Sequence, residues 1–186
     1  MIASLKNGTY RLGKYFTFKV YEPKERDIQA LPYKDRIVHQ WYVEEFIKPY
    51  IIPRFINTSF ACLPNKGTHK AVEEVQKQMR IFKRKCSINY KNYYILKCDI
   101  KRFFYNINPY ILFQIMKKYI SDPPLLYLTQ ILIFNGPIDS SKIGIPIGNY
   151  TSQFFANIYL NELDQYIKRT LKIKYYSRYM DGATRF

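Results

Sequence analysis

Apolar and polar positions change rhythm several times along this chain. Between residues 14 and 30, KYFTFKVYEP is rich in aromatic and β-branched residues, and RDIQAL follows Pro23-Lys24-Glu25. That pattern predicts two strands joined by a turn, a hairpin carrying Lys14, Lys19, Lys24 and Arg26. YKDRIVHQWYVEEFIKPYI follows a helical repeat through Ile37, Trp41, Glu44/Glu45 and Lys48, and Pro49 and Pro53 are expected to interrupt it. LPNKG reads as a loop. From Thr68, the positions Ala71, Val72, Val75, Met79 and Phe82 form one stripe of a helix whose other face is basic.

NYYILKCDI is almost unbroken in its apolar character up to Lys97, as in a buried central strand, and it ends at Asp99. Asn108-Pro109 is a helix start, with Asn as cap and Pro at the first position. Ile111, Leu112, Ile115, Met116 and Tyr119 give that helix a packing face. Ser121-Asp122-Pro123-Pro124 starts another helix, through about Phe134. The loop NGPIDSSKIGIPIGN precedes a helix with Ala156, Leu160, Leu163 and Ile167 on one stripe. TLKIKYYSRYMD then alternates, with Leu171, Ile173, Tyr175 and Tyr179 on the parity of Asp181. From residue 93 the order is strand, helix, helix, loop, helix, strand, with an Asp ending the first strand and the last. An α+β layer with both strands central and helices on one side would bring those two Asp residues together.

Composition narrows the partner. The chain has 186 residues, with 30 Lys and Arg against 14 Asp and Glu, a net charge of +16. Such a surplus repels itself and favours a polyanion, either nucleic acid or an anionic membrane; a merely basic cytosolic protein is the plainer alternative. The 19 Tyr and 13 Phe suit base stacking, although most must be core. Cys62, Cys86 and Cys98 are scattered, so neither a zinc site nor a disulfide frame is indicated. MIASLKNGTYRLGKYF lacks the apolar core of a signal peptide, and no uncharged run approaches the ~18 residues a membrane span needs. The expectation is a cytoplasmic protein with no membrane partner.

Five segments, in order over roughly residues 15 to 186, carry a resemblance. RDIQALPYKDRIVHQ sets Arg26 nine residues before Asp35-Arg36, NKGTHKAV follows, then KCDIKRFFYNINPYIL, GIPIGNYTSQFFANIYLNELDQYI and RYMD. This series resembles reverse transcriptases: two finger segments, the first palm motif, the Gly-rich loop with its helix, and the start of the Tyr-x-Asp-Asp hairpin. The loop reads Ile-Gly-x-x-x-Ser-Gln from Ile147 to Gln153, similar to the reverse transcriptases of diversity-generating retroelements, while the wider pattern is of group II intron type. The resemblance implies fingers over residues 1–92 and a palm over 93–186, with a fingers insertion at about 120–148 and an RRM-like antiparallel sheet with helices on one face. It implies RNA-templated addition of dNTP to a DNA primer, with template RNA and a small basic accessory protein as partners.

The chemistry of that reaction can be placed on residues. Nucleotidyl transfer needs two divalent cations about 3.5–4 Å apart, and hard cations want carboxylate and carbonyl oxygen. Asp99 and Asp181 are the candidate catalytic carboxylates, with the Ile100 carbonyl as a further ligand to two Mg2+, or Mn2+. Either Asp alone also reads as a cap or a surface charge. By resemblance, Phe104 is the aromatic that excludes a 2′-hydroxyl, although a core Phe fits too. Gly148 lets backbone approach a base or sugar, Ile147 replaces the usual Gln, and Ser152 and Gln153 either cap the helix or touch substrate. Arg26, with Lys19 or Lys24, suits a triphosphate; Arg36 and Lys66 suit a nucleic-acid backbone. His39 and His69 have no spaced partners and read as structural.

Three departures qualify the resemblance. Gly182 stands where the family has a second Asp, ATRF does not look like the expected apolar return strand, and the thumb is missing. These lead to the expectation of a C-terminally truncated enzyme; the alternative is a non-catalytic RNA- or DNA-binding remnant. Without its return strand, the Asp181 strand would also have an unpaired edge.

Overall fold

The computed structural model describes residues 2–21, 25–85 and 94–185. A short helix, α1 (Ile2–Lys6), precedes β1 (Phe16–Val20), which pairs antiparallel with β2 (Arg26–Ala30), Phe16 opposite Ala30 and Val20 opposite Arg26. The predicted hairpin is therefore present; most of its expected turn lies outside the described residues. α2 (Tyr33–Tyr42) runs without a break into a π-helical stretch, Val43–Ile51, and a 3-10 turn, Ile52–Arg54. Pro49 lies inside the π-helical stretch rather than ending the helix. Proline removes one N–H and its ring crowds the carbonyl four residues back. The wider winding shifts pairing to the fifth residue back, as the Ile52 N–H bonding Ile47 O illustrates. The buried face is Val38, Tyr42, Phe46 and Ile47, while Ile37 and Trp41, expected on the repeat, are exposed.

The remaining elements are α3 (Thr68–Lys85), β3 (Leu96–Cys98), α4 (Phe103–Asn106), α5 (Pro109–Lys117), α6 (Pro123–Phe134), α7 (Tyr150–Gln165), β4 (Tyr176–Tyr179) and β5 (Gly182–Arg185). A π-helical turn, Tyr166–Thr170, extends α7. The fold is α+β. The chain forms two units, one of Met1–Pro53 and Arg102–Tyr159, the other of Arg54–Lys101 and Leu160–Phe186.

Unit 1 holds the hairpin and a helical core. Asn108 caps α5 by accepting from the Tyr110 and Ile111 N–H groups, and Asp122 caps α6 through the Leu125 N–H, as the sequence predicts. Leu112, Phe113, Ile115 and Met116 are buried on α5, whereas Ile111 is exposed. Each such side chain buried contributes about 1.5–3 kcal/mol. Tyr42 packs against Phe46 and Phe155 at ring distances of 5.3 and 6.3 Å and places its hydroxyl 2.6 Å from Thr129 Oγ1.

Unit 2 holds an antiparallel sheet in the order β3-β5-β4. Cys98 and Arg178 both lie opposite Ala183, and Tyr179 lies opposite Gly182. Two expectations are corrected here. β3 is an exposed edge strand, not a buried central one. Ala183, Thr184 and Arg185 of ATRF do form the return strand: with Gly182 they make β5, at the centre of the sheet. Its backbone groups are paired on both sides, and that pairing rather than an apolar side-chain pattern makes it a strand. Nor is the far edge of β4 bare. Arg178 N–H donates to Thr58 O at 2.9 Å and Phe60 N–H donates to Arg178 O at 3.0 Å, a parallel bridge.

α3 begins at Thr68 as predicted, but Val72 and Met79 of its expected stripe are exposed. Among the described residues of α3, Gln78 is buried, and it donates to Ser177 Oγ at 3.1 Å. On α7, Ala156 and Leu160 are buried and Leu163 is exposed; Asn161 and Asp164 take the inner positions instead.

Candidate active site

Asp99 follows β3, and Asp181 lies in the two-residue turn between β4 and β5. Both belong to unit 2. Antiparallel pairing places the end of β3 beside the start of β5, so the two acids share one end of the sheet. A Cβ built on Gly182 would lie 3.9 Å from Asp99 Oδ1, 3.5 Å from Tyr179 O and 4.0 Å from Cys98 O. Gly182 thus borders Asp99 across the strands and Asp181 along the chain. Asp99 and Ile100 are exposed and Asp181 is half-buried, so the carboxylates open to solvent.

The donor chemistry fits a hard divalent cation. Two carboxylates with strand-end carbonyls form an all-oxygen set, and Mg2+ keeps several waters where protein ligands are few. Among the described residues no cluster of three or more His, Cys, Asp or Glu forms. Gly182 is the position next to both acids, and a Cβ there would meet its neighbours only at ordinary contact distances.

The backbone just before Asp181 is contacted by a buried ion pair. The Arg178 and Asp164 side chains are 1% and 0% exposed. Arg178 Nε and Nη2 donate to the Asp164 carboxylate at 2.7–3.0 Å. Tyr176 donates its hydroxyl to Asp164 Oδ1 at 2.7 Å, and burial, with the adjacent carboxylate, raises the Tyr176 pKa. The third guanidinium nitrogen, Nη1, reaches the Met180 carbonyl at 2.7 Å. One sequence signal is Asp164, which interrupts the apolar stripe of α7; Arg178 carries none, since it lies on the parity opposite Tyr175 and Tyr179, and β4 buries Tyr176, Ser177 and Arg178 in succession.

The remaining predicted residues lie in unit 1, Lys66 excepted. Phe104 is half-buried beside the buried Phe103, rings 5.9 Å apart. Its carbonyl accepts the Ile145 N–H at 2.9 Å, so the Gly-rich loop is fastened to α4. Two residues on, Ile147 O accepts the Gln29 N–H of β2 at 2.8 Å. Gly148 has φ +126°, and a Cβ there would lie 2.7 Å from Gln29 O. The close approach this glycine permits is to the hairpin backbone. Arg26 opens the same strand. Hairpin, loop and Phe104 are therefore tied together in one unit.

The Asp35-Arg36 pair divides its work. Asp35 is fully buried, accepting from Tyr10 Oη at 2.6 Å and the Gly13 N–H at 3.0 Å. Arg36 is exposed, 5.7 Å over the Tyr33 ring. His39 is buried 2.7 Å from Thr151 Oγ1, and burial lowers its pKa to about 4, against an opposing pull from Asp35. In unit 2, Lys66 donates to Asn57 O and Ser59 O at 2.7 and 3.0 Å, and burial lowers its pKa. Its ammonium ties down the 57–59 backbone. Lys19 pairs with Glu25 across the hairpin. Cys62 and Cys98 are free thiols, and no described helix is long and apolar enough to cross a membrane.

Comparison with known proteins gives a consistent family. The model of the reverse transcriptase (RNA-dependent DNA polymerase) family matches residues 22–184. The group II intron-encoded protein LtrA of Lactococcus lactis subsp. cremoris is 24% identical over 94% of this chain, and the match spans 28% of that protein. The same protein from strain MG1363 matches equally. Among solved structures, telomerase from Candida albicans, in complex with a TWJ fragment of telomeric RNA, shares the fold. Its TM-score is 0.66 at 11% identity, over 96% of this chain and 38% of the telomerase chain.

Proposed function

Because this chain belongs to the reverse transcriptase (RNA-dependent DNA polymerase) family, we propose that it carries the metal-binding and nucleotide-positioning part of an RNA-directed DNA polymerase. The reaction is RNA-templated addition of a dNTP to a DNA primer 3′-end with release of pyrophosphate. The observation that carries this reading is the shared sheet end of Asp99 and Asp181, with Gly182 bordering both.

In this reading Asp99, Asp181 and the Ile100 carbonyl hold two Mg2+, or Mn2+. Bound there, the cations would activate the primer 3′-oxygen and neutralise charge on the leaving pyrophosphate. The residues of the chain do the rest. Phe104 screens the sugar for a 2′-hydroxyl. Arg26 offers a guanidinium fork to phosphate oxygens, which a lysine could match only as a point charge. Ile147 and Gly148 form the floor next to the nascent pair, fastened through Gln29. Arg36 offers an exposed guanidinium to a nucleic-acid backbone, whereas Lys66 acts through the 57–59 segment it ties down, and the net charge of +16 draws the template in. The Ile-Gly-x-x-x-Ser-Gln loop favours a retroelement enzyme that works with a small basic accessory protein.

Primer extension on an RNA template with Mg2+ tests the reading: incorporation is expected, falling to background in Asp99→Ala and in Asp181→Ala. Incorporation that survives Asp99→Ala removes the metal assignment. Gly182 favours a second reading, a non-catalytic RNA- or DNA-binding protein of the same fold, because it leaves two carboxylates where the family has three. RNA binding without incorporation by the wild type selects it. Gly182→Asp has room for its Cβ. It is expected to raise Mn2+ affinity about tenfold or more, since ligand charge sets cation affinity, and incorporation should rise with it.

A further inference from the structure

The turn that presents Asp181 is conformationally unusual. Tyr179 and Gly182 are paired, so Met180 and Asp181 alone make the loop. Met180 has φ +52°, a left-handed conformation that is unfavourable for a side-chain-bearing residue. Two-residue hairpin loops demand positive φ at their first position, and Gly, Asn or Asp usually supply it. Methionine does not, so something else holds the turn.

That something is Arg178. Its fork is filled on one side by the Asp164 carboxylate, itself fixed by Tyr176, and Nη1 lands on Met180 O. This carbonyl belongs to the peptide linking Met180 to Asp181. Orienting the peptide sets the backbone from which the Asp181 side chain departs. A buried ion pair is a poor way to hold a core together, since desolvation consumes most of the attraction and apolar replacements of like volume are often as stable. Its distinctive yield here is a rigid N–H aimed at one carbonyl. A lysine has no such fork, and a buried leucine-methionine pair would fill the space without reaching the turn.

We infer that Arg178 is a positioning residue for Asp181: braced by Asp164 and Tyr176, its guanidinium fixes the Met180–Asp181 peptide and so aims the carboxylate. The metal-binding consequence rests on the function proposed above; the control of the turn does not.

Two readouts on the full chain separate these. One is hydrogen exchange of the Asp181 and Gly182 amides in metal-free protein, by NMR. The other is Mn2+ affinity by electron paramagnetic resonance. The informative variant is Asp164→Leu/Arg178→Met, with Arg178→Lys as a second route should the double variant fail to fold. Melting temperature serves as the measure of folding. For a folded variant, exchange at the two turn amides is expected to rise at least tenfold while amides of α5 and α6 stay unchanged, and Mn2+ affinity is expected to fall about tenfold. A folded variant with wild-type exchange in the turn overturns the inference. If wild-type protein binds no Mn2+ but turn exchange rises, the metal reading falls and the positioning role stands. If Mn2+ affinity is unchanged while exchange rises, Arg178 holds the turn without aiming the carboxylate, and the inference is overturned.

Discussion

Unit 1 closes over Val38, Tyr42, Ile47, Leu112, Met116 and Ile158, while unit 2 buries Ser59, Gln78, Asn161, Asp164, Ser177 and Arg178 beside Phe60 and Leu160. Unit 1 gains most from removing apolar surface from water, which is non-directional and tolerant of repacking. Unit 2 depends on hydrogen bonds that work only in one geometry and are costly when half made. The unit with the candidate catalytic acids is the one whose interior is the more directional, with polar residues a far larger share of what it buries. An apolar core can be filled in many ways, but a carboxylate has to be aimed, and aiming needs donors and acceptors at fixed angles.

The sharpest way to break this comparison is to remove one partner from the directional core. Asp164→Ala leaves the Arg178 charge buried and unmatched, at an expected cost of about 3–5 kcal/mol. A urea-unfolding midpoint, measured by tyrosine fluorescence, checks it. A loss under about 1 kcal/mol would mean that water or another acid reaches the guanidinium.

Unit 1 has directional contacts of its own, among them His39 with Thr151, and acid should expose that one. His39 stays neutral in the fold down to a pKa of about 4, against 6.5 for the free side chain. As pH falls below about 6.5 the unfolded chain takes up the proton first. Stability is therefore full above that point and declines until about pH 4, by about 3 kcal/mol. Asp35, buried next to it, opposes the shift and moderates the fall. Melting temperature against pH for wild type and His39→Gln checks this: the variant is expected to lose the slope between pH 6.5 and 4.

The smallest of the three effects concerns the loop. Gly148→Ala forces a side chain into positive φ and against Gln29 O, an expected loss of about 1–3 kcal/mol. Since loop and hairpin are fastened at that point, protease sensitivity of the hairpin should rise with it. An unchanged digestion pattern would separate the two.

The same contrast explains how much could be read from the amino-acid order. α5, α6 and their caps are written in local chemistry, Asn108-Pro109 and Asp122-Pro123, because a cap needs only its own next few N–H groups. The hairpin, α3 and α7 were equally legible as elements. Which face of α3 or α7 turns inward was not, because Gln78, Asn161 and Asp164 are polar residues buried on partners far along the chain. β5 was hidden for a related reason: Gly182, Ala183, Thr184 and Arg185 have no apolar alternation, and only β3 and β4 on either side make them a strand. Of the candidate site, Asp99, Asp181 and Phe104 follow from motif order. The brace of Arg178, Asp164 and Tyr176 needed the fold.

The wide winding of Val43–Ile51 bears on how this segment can change in length. A π turn is in effect an α turn with one residue to spare. Deleting a single residue between Val43 and Pro49 would let the segment relax to ordinary winding and still deliver Ile51 to the inner side. Adding one would rotate everything after it away from its contacts. Natural length variants of this helix are therefore expected to be shorter by one residue, seldom longer.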